Sequence, residues 1–410
     1  MPADASSLVY LDNHATTRVD PRVVAAMLPY FDEKYGNPHS VHAAGHEARE
    51  AVDAARHSIA ASIGVDAAEI IFTSGATESN NLAIRGIAER DRRRGNHIVS
   101  VATEHKAVLD PLARLSRRGF DVTLLDVEQH PSPRAGWLDP QQVADALRDD
   151  TCLASVMLAN NEIGVIQPLA EIASICKQRG VLLHCDATQA VGKIPVDVSN
   201  LGIDLMSFSS HKIYGPKGIG VLYVRRREPI VRLESQITGG GQQEGRRSGT
   251  LNVPGIIGMA QALELCIAEM PIESERITEL RNKLANELAS RLPNVELCGP
   301  QLTATHADSS PLRLPGNLNV SFGNVDGEAL LLAMGNLAVS SGAACTSTDS
   351  GPSHVLLALG LGEGAARSSL RFGLGRFNTP ADIDYAVERV VAAVTQLRQM
   401  TSWASAAKIG

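Results

Sequence analysis

Between about residues 69 and 224 the chain alternates short β-rich apolar runs with helical patterns, and no other feature constrains its fold as tightly. Strand–helix–strand units of this kind pack as a mostly parallel sheet between layers of helices. The β-rich runs include residues 69–72, 181–185, 203–208 and 219–224. After residue 224 the pattern changes. Residues 236–250 are rich in glycine and charge, follow neither period, and read as a long functional loop. An amphipathic helix is expected after Pro271, with Ile277, Leu280, Leu284 and Leu288 on one face. Short strands near 318–322 and 370–372 follow, then a last helix from Ala381 carrying Ile383, Val387, Val390, Val391 and Val394. Both stripes read as core faces. A chain of 410 residues, 44% of them hydrophobic, can bury a large core and is expected to form two domains.

The chemistry concentrates at the ends of these strands. The run Ser209-Ser-His-Lys-Ile-Tyr-Gly-Pro-Lys-Gly-Ile-Gly220 sets Lys212 just past an apolar strand. A lysine there is costly to desolvate, so one reading has it form an imine with a carbonyl cofactor, of which pyridoxal phosphate is the commonest. The other reading is a surface lysine in a glycine turn. Asp186 follows the strand at 181–185, where open α/β sheets bind ligands, and could keep a pyridine nitrogen protonated. It could equally cap the segment after it. Thr73-Ser-Gly-Ala-Thr77 joins a strand to a helix start, so backbone N–H groups and the Thr77 hydroxyl form an anion cradle. No GxGxxG or GxxxxGK[ST] nucleotide pattern overlaps it.

Six cysteines occur, with no CxxC pair and no zinc-type spacing. Cys152, Cys176, Cys185, Cys266 and Cys298 sit in apolar or helical surroundings and read as small hydrophobes. Cys345 lies instead in Ser340-Ser-Gly-Ala-Ala-Cys-Thr-Ser-Thr-Asp-Ser-Gly-Pro-Ser353, a loop composition that exposes a thiol. It is either a nucleophile or an incidental loop cysteine. His39, His42 and His46 lack a carboxylate to complete a metal set, so no metal is expected. His14 stays unassigned. The arginine triplets at 92–94 and 225–227 read as solvated charge. A net charge of −7 argues against nucleic acid and anionic membranes as partners. No membrane-spanning run or export signal is apparent, which points to the cytoplasm.

Taken together, these motifs resemble those of the cysteine desulfurases of the NifS/IscS type, class V aminotransferases within the type I fold of pyridoxal-phosphate enzymes. The resemblance runs from Tyr10-Leu-Asp-Asn-His-Ala-Thr-Thr17 to at least Arg376. It rests on Thr73-Ser-Gly-Ala-Thr-Glu-Ser79, Thr103-Glu-His-Lys106, Asn160-Asn-Glu-Ile-Gly164, His184-Cys-Asp-Ala-Thr-Gln189 and the Lys212 run. Arg247-Ser-Gly-Thr250, the Cys345 loop and Ser369-Leu-Arg-Phe372 complete it. Ser210 departs slightly, since relatives often carry Gly or Ala before the His-Lys pair.

The resemblance implies a large cofactor-binding domain over 21–265 with a seven-stranded sheet. A smaller α+β domain would comprise 1–20 and 266–410, carrying the cysteine loop at about 340–353. It implies that Lys212 holds the cofactor covalently, Asp186 pairs with its ring nitrogen, and Gln189 bonds its ring hydroxyl with Asn161 nearby. His105 would stack on the ring and shuttle a proton. Ala76, Thr77, Ser209 and His211 would hold the phosphate, joined by Thr250 from the other subunit of a homodimer. Arg371, with Asn161, would bind the substrate. L-Cysteine would become L-alanine, and Cys345 would take the sulfur as a persulfide. The acceptor would be an iron–sulfur scaffold protein, to whose cluster Cys345 could transiently bind, or a tRNA-thiolation protein. Rival readings are an aminotransferase of the same class, a selenocysteine lyase, and a non-catalytic sulfur carrier or scaffold.

Overall fold

A computed structural model describes residues 8–90, 95–342 and 351–406. Cys345 and Arg92–Arg94 lie outside the described residues. Seven strands form the central sheet: β2 (Ile70–Thr73), β3 (His97–Val101), β4 (Asp121–Leu125), β5 (Thr151–Ser155), β6 (Leu182–Asp186), β7 (Leu205–Ser209) and β8 (Gly220–Val224). Their spatial order is β2-β8-β7-β6-β5-β3-β4. Only β8 runs against the others, pairing antiparallel with both β7 and β2. Every residue of β2, β3 and β5–β8 is buried, as expected of strands covered on both faces, whereas edge strand β4 is largely open.

Helices α1 (Pro21–Met27), α2 (Ala43–Ser62), α3 (Ala76–Arg90), α4 (Lys106–Ser116), α5 (Pro140–Ala146), α6 (Leu169–Gln178) and α7 (Val198–Leu201) surround this sheet. Two hydrophobic clusters flank it: one holds Phe72, Val99, Leu183 and Phe208, the other Ile71, Ile98, Leu153 and Leu222. Alternate residues of each strand thus point to opposite layers.

A separate core contains Leu11, Leu284, Phe322, Phe372 and Val390. It is built on β9 (Val295–Leu297), β10 (Asn317–Phe322), β12 (Ser340–Ser341) and β13 (Ser369–Gly373), in the order β12-β13-β10-β9. The short β1 (Val9–Tyr10) pairs in parallel with β11 (Leu337–Ala338) and brings the N-terminal arm to this core. Around it lie α9 (Gly327–Leu332), α10 (His354–Ala358), α11 (Glu363–Arg367) and α12 (Pro380–Ala406).

The helix expected after Pro271 is the second half of a single helix, α8 (Val253–Arg291), which runs straight through that proline. A mid-helix proline removes one N–H donor and strands the carbonyl four residues earlier. Here that carbonyl belongs to Ile267, on an exposed stretch where water can reach it. The first half of α8 buries Ile256, Met259 and Leu263 against the sheet; the second buries Ile277, Leu280, Leu284 and Leu288 in the separate core. A boundary at 265/266 therefore falls inside a continuous helix. Contrary to the sequence expectation, α8 is long and apolar enough by composition to cross a membrane. Its apolar faces are instead packed into the two cores.

Candidate active site

A cavity of about 540 Å3 opens at the carboxyl ends of the parallel strands. Asp186 closes β6 at its rim and is buried. One carboxylate oxygen accepts the Asn80 side-chain N–H at 2.7 Å, and the other accepts the Thr188 backbone N–H at 2.9 Å. A turn rather than a helix follows, so Asp186 does not act as a helix cap.

Lys212 lines the same cavity from the single helical turn after β7. Its Nζ donates to the carbonyls of His14 at 2.6 Å and Ala15 at 2.5 Å. Burial, with Arg371 adding repulsion, pushes its ammonium down to about 8. No carboxylate pairs with it among the described residues. The charge is therefore poorly compensated.

His105 N-caps α4: its Nδ1 accepts the Ala107 backbone N–H at 3.0 Å. Nδ1 thus carries the lone pair, and Nε2 holds the ring proton in the neutral form. Burial lowers its basicity. His211 is pushed down to about 4 by burial and by Lys212 and Lys217.

The anion cradle forms where β2 turns into α3. Ser74, Gly75, Ala76 and Thr77 line the cavity together with Ser209, His211 and Lys217. Gly75 has φ of +155°, a region open mainly to glycine. A Cβ on Gly220 would meet the Gly75 Cα at 2.6 Å, so the start of β8 must also be glycine for this turn to pass.

Gln189 joins a polar chain behind the cavity. Its Oε1 receives Lys193 Nζ at 2.6 Å and faces His14 Nδ1 at 3.0 Å, while its Nε2 donates to the His14 carbonyl at 3.0 Å. An ammonium only donates, so the amide oxygen is fixed on the Lys193 side. Burial and Lys212 push Lys193 down to about 7. Burial holds His14 neutral, and its Nε2 has no partner.

Of the residues singled out from sequence, Ala76, Thr77, His105, Asn161, Asp186, Gln189, Ser209, His211 and Lys212 line this one cavity. Arg371 sits beside it, on β13. Its guanidinium donates to the Asn161 carbonyl at 3.0 Å, to Asp12 at 3.0 Å and to the Ser340 hydroxyl at 2.8 Å. Its Nε is buried without a partner. Ser340, five residues before Cys345 in the sequence, pairs with Arg371 across β12 and β13. Thr250 is exposed and does not line the cavity of its own chain.

Sequence reasoning passed over Asn80, Thr188, Thr16, Glu78, Met157 and Lys193. Asn80 carried a usable signal, being a polar residue on the inward face of α3 one turn after Thr77. The donor set fits pyridoxal phosphate. It offers a fixed buried carboxylate for a pyridinium N–H, a lysine of lowered basicity, an anion cradle, and unpartnered polar atoms on Thr188 and Arg371.

This arrangement defines a pyridoxal-phosphate enzyme. The chain belongs to the class-V aminotransferase family, whose pattern it matches over residues 9–386. It is 52% identical over 394 residues to the cysteine desulfurase IscS of Anaeromyxobacter dehalogenans, covering 96% of this chain and 94% of that protein. Among solved structures, a NifS-like protein superposes with a TM-score of 0.85 at 38% identity, covering 95% of this chain and all of that one. A structure of SspA in complex with cysteine gives a TM-score of 0.75 at 35% identity, covering 90% and 99%.

Proposed function

We propose that the chain is a cysteine desulfurase that converts L-cysteine to L-alanine and passes the sulfur to Cys345. The observation that carries this reading is Lys212 and Asp186 lining one cavity, with the anion cradle on its wall and Ser340, five residues before Cys345 in the sequence, paired with Arg371 beside it. When bound, pyridoxal phosphate supplies an aldehyde that condenses with amines and a protonated ring that takes up electrons from a bond broken at Cα. Asp186 would hold the ring nitrogen's proton, and Gln189 would donate its second Nε2–H to the ring hydroxyl. Ala76, Thr77, Ser209 and His211 would bind the phosphate.

Arg371 has an unused Nε–H, and Asn161 sits beside it, so the pair would orient the substrate carboxylate. Lys212, with its lowered basicity, would take the Cα proton. His105 would cover the ring and hold a proton at Nε2. The Cys345 thiolate would form the new S–S bond while the substrate's Cβ–S bond breaks. The electron pair of that bond stays with the carbon skeleton, which gains a proton and leaves as L-alanine.

A homodimer is part of this reading, because Thr250 is exposed in its own chain and would serve the phosphate of the partner. Exposed Leu28, Phe31, Tyr35 and Val41 offer an apolar surface for such contact. Five free, buried thiols support a cytoplasmic setting, and an iron–sulfur scaffold or tRNA-thiolation protein would receive the persulfide. The domain division at 20/21 and 265/266 belongs to the same proposal.

The test is anaerobic turnover of L-cysteine by purified protein and its Cys345→Ser variant. Wild type should yield alanine and a persulfide on Cys345 detectable by mass spectrometry. The variant should keep its visible cofactor absorbance and lose alanine formation by about 100-fold or more, since a hydroxyl is a poor nucleophile toward sulfur. Near-normal alanine from the variant would refute the sulfur route. Transamination without alanine from cysteine would favour an aminotransferase, and preferential turnover of selenocysteine would favour the lyase.

A further inference from the structure

An acid lines the anion cradle. Glu78 is the third residue of α3 and faces the same cavity as Ser74, Gly75, Ala76 and Thr77. A free carboxylate there would repel a phosphate and neutralise the positive helix end that would otherwise attract one. Arg247, from the glycine-rich loop, grips it in a two-point fork: Nε to one oxygen at 2.7 Å and Nη2 to the other at 3.2 Å. The second oxygen also accepts the Ser74 backbone N–H at 2.8 Å. The two side chains are only 20% and 17% exposed, so water screens the pair weakly. Burial pushes the Glu78 carboxyl up, but the bonds from Arg247 and Ser74 more than offset it and keep the group ionised.

We propose that Arg247 is a positioning residue for the cofactor phosphate, cancelling the Glu78 charge so that the Ala76 and Thr77 N–H groups, which unlike that of Ser74 are not taken by Glu78, can act on an anion. Arg247 lies three residues before Thr250, so the same fork pins the loop that carries Thr250 to the rim of the site. The inference rests on the reading of residues 74–77 as the phosphate site.

Full-length protein freed of cofactor is titrated with pyridoxal phosphate and, in parallel, with pyridoxal, which lacks the phosphate. Visible absorbance reports binding. Arg247→Gln should weaken pyridoxal phosphate by about tenfold or more and leave pyridoxal within about twofold, because a lost charge cancellation acts on the anion alone. Glu78→Gln should bind pyridoxal phosphate as well as wild type or better. The double variant should recover to within about threefold of wild type, the signature of a coupled pair. Unchanged binding by Arg247→Gln overturns the proposal. So does a double variant as weak as the single one, which would make Arg247 a direct phosphate ligand. If Arg247→Gln fails to fold by circular dichroism, Glu78→Gln still decides, since a loss beyond about threefold contradicts a repulsive role for its charge. Wild type that binds pyridoxal as tightly as pyridoxal phosphate would instead remove the phosphate reading itself.

Discussion

At Lys212 the protein keeps an amine half-ready to lose its proton. Burial is the largest cause, Arg371 adds to it, and Asp12 and Asp186 oppose it from a distance. A lysine drawn from its ordinary value near 10.5 to about 8 is charged below pH 8 and mostly neutral above it. In cofactor-free protein, labelling of Lys212 by an amine-reactive reagent, followed by peptide mapping, should therefore rise with pH through a midpoint near 8. A label that lands on Lys217 in place of Lys212, or a midpoint at the ordinary value, would displace Lys212 from its role. The sign carries to stability too. Between about pH 8 and 10.5 the unfolded chain binds the proton that the folded chain has lost, so the charge's cost fades as pH climbs through that window. Lys212 and Asp186, each ambiguous alone, were legible in the sequence because both fall at the ends of apolar strands beside an anion cradle and within motifs that resemble one family. Glu78 and Lys193 were not, since their meaning depends on neighbours brought by the fold; Asn80 showed only as a polar residue on an inward helix face, and its partner Asp186 lies 106 residues on.

At the scale of elements, the cradle depends on how β8 passes the β2–α3 turn. The Cβ that alanine would add at Gly220 meets the Gly75 Cα at 2.6 Å, the Gly75 carbonyl carbon at 2.7 Å and the Phe208 carbonyl oxygen at 2.9 Å. All three are backbone, with no flexible side chain to move aside. Gly220→Ala should cost about 1–3 kcal/mol in denaturant unfolding and loosen cofactor retention on dialysis, as overpacking does elsewhere. Gly362→Ala, whose added Cβ meets open space, serves as the control and should stay within about 0.5 kcal/mol. Equal behaviour of the two variants would mean the turn tolerates displacement. Strands β2, β6, β7 and β8 could be placed from sequence because they are buried on both faces and so read as apolar runs, whereas β3, β4 and β5 were covered only by the general alternation of strand and helix patterns. Helix α8 was harder. Pro271 reads locally as a helix start, yet both halves of the helix are held by separate cores, and that tertiary anchoring outweighs one lost hydrogen bond.

On the scale of the whole molecule, α8 and a buried ion cluster tie the two cores together. Arg376, after β13, pairs with Asp20 at 2.9 Å and with Glu273 of α8 at 2.6 Å. Such a joint holds the Arg371 side of the site against the Lys212 side, which a cavity built from both requires. What one chain does not supply is a place for Thr250. In this chain its loop is fixed by Arg247, but Thr250 is exposed and is not among the residues that line the cavity. The dimer reading makes a sharp prediction. Chains carrying Lys212→Ala are mixed with chains carrying Thr250→Ala and allowed to exchange subunits. If Thr250 acts across the interface, each mixed dimer has one site with both substitutions and one with neither. Random exchange then leaves about a quarter of all sites intact, from pools in which no homodimer site was complete. Alanine formation from cysteine should rise on mixing toward that fraction. If Thr250 acts within its own chain, every site in the mixed dimer keeps one substitution, and mixing restores nothing. A Thr250→Ala homodimer with full activity would remove the threonine from the site altogether, while an active monomer by sedimentation would remove the dimer requirement.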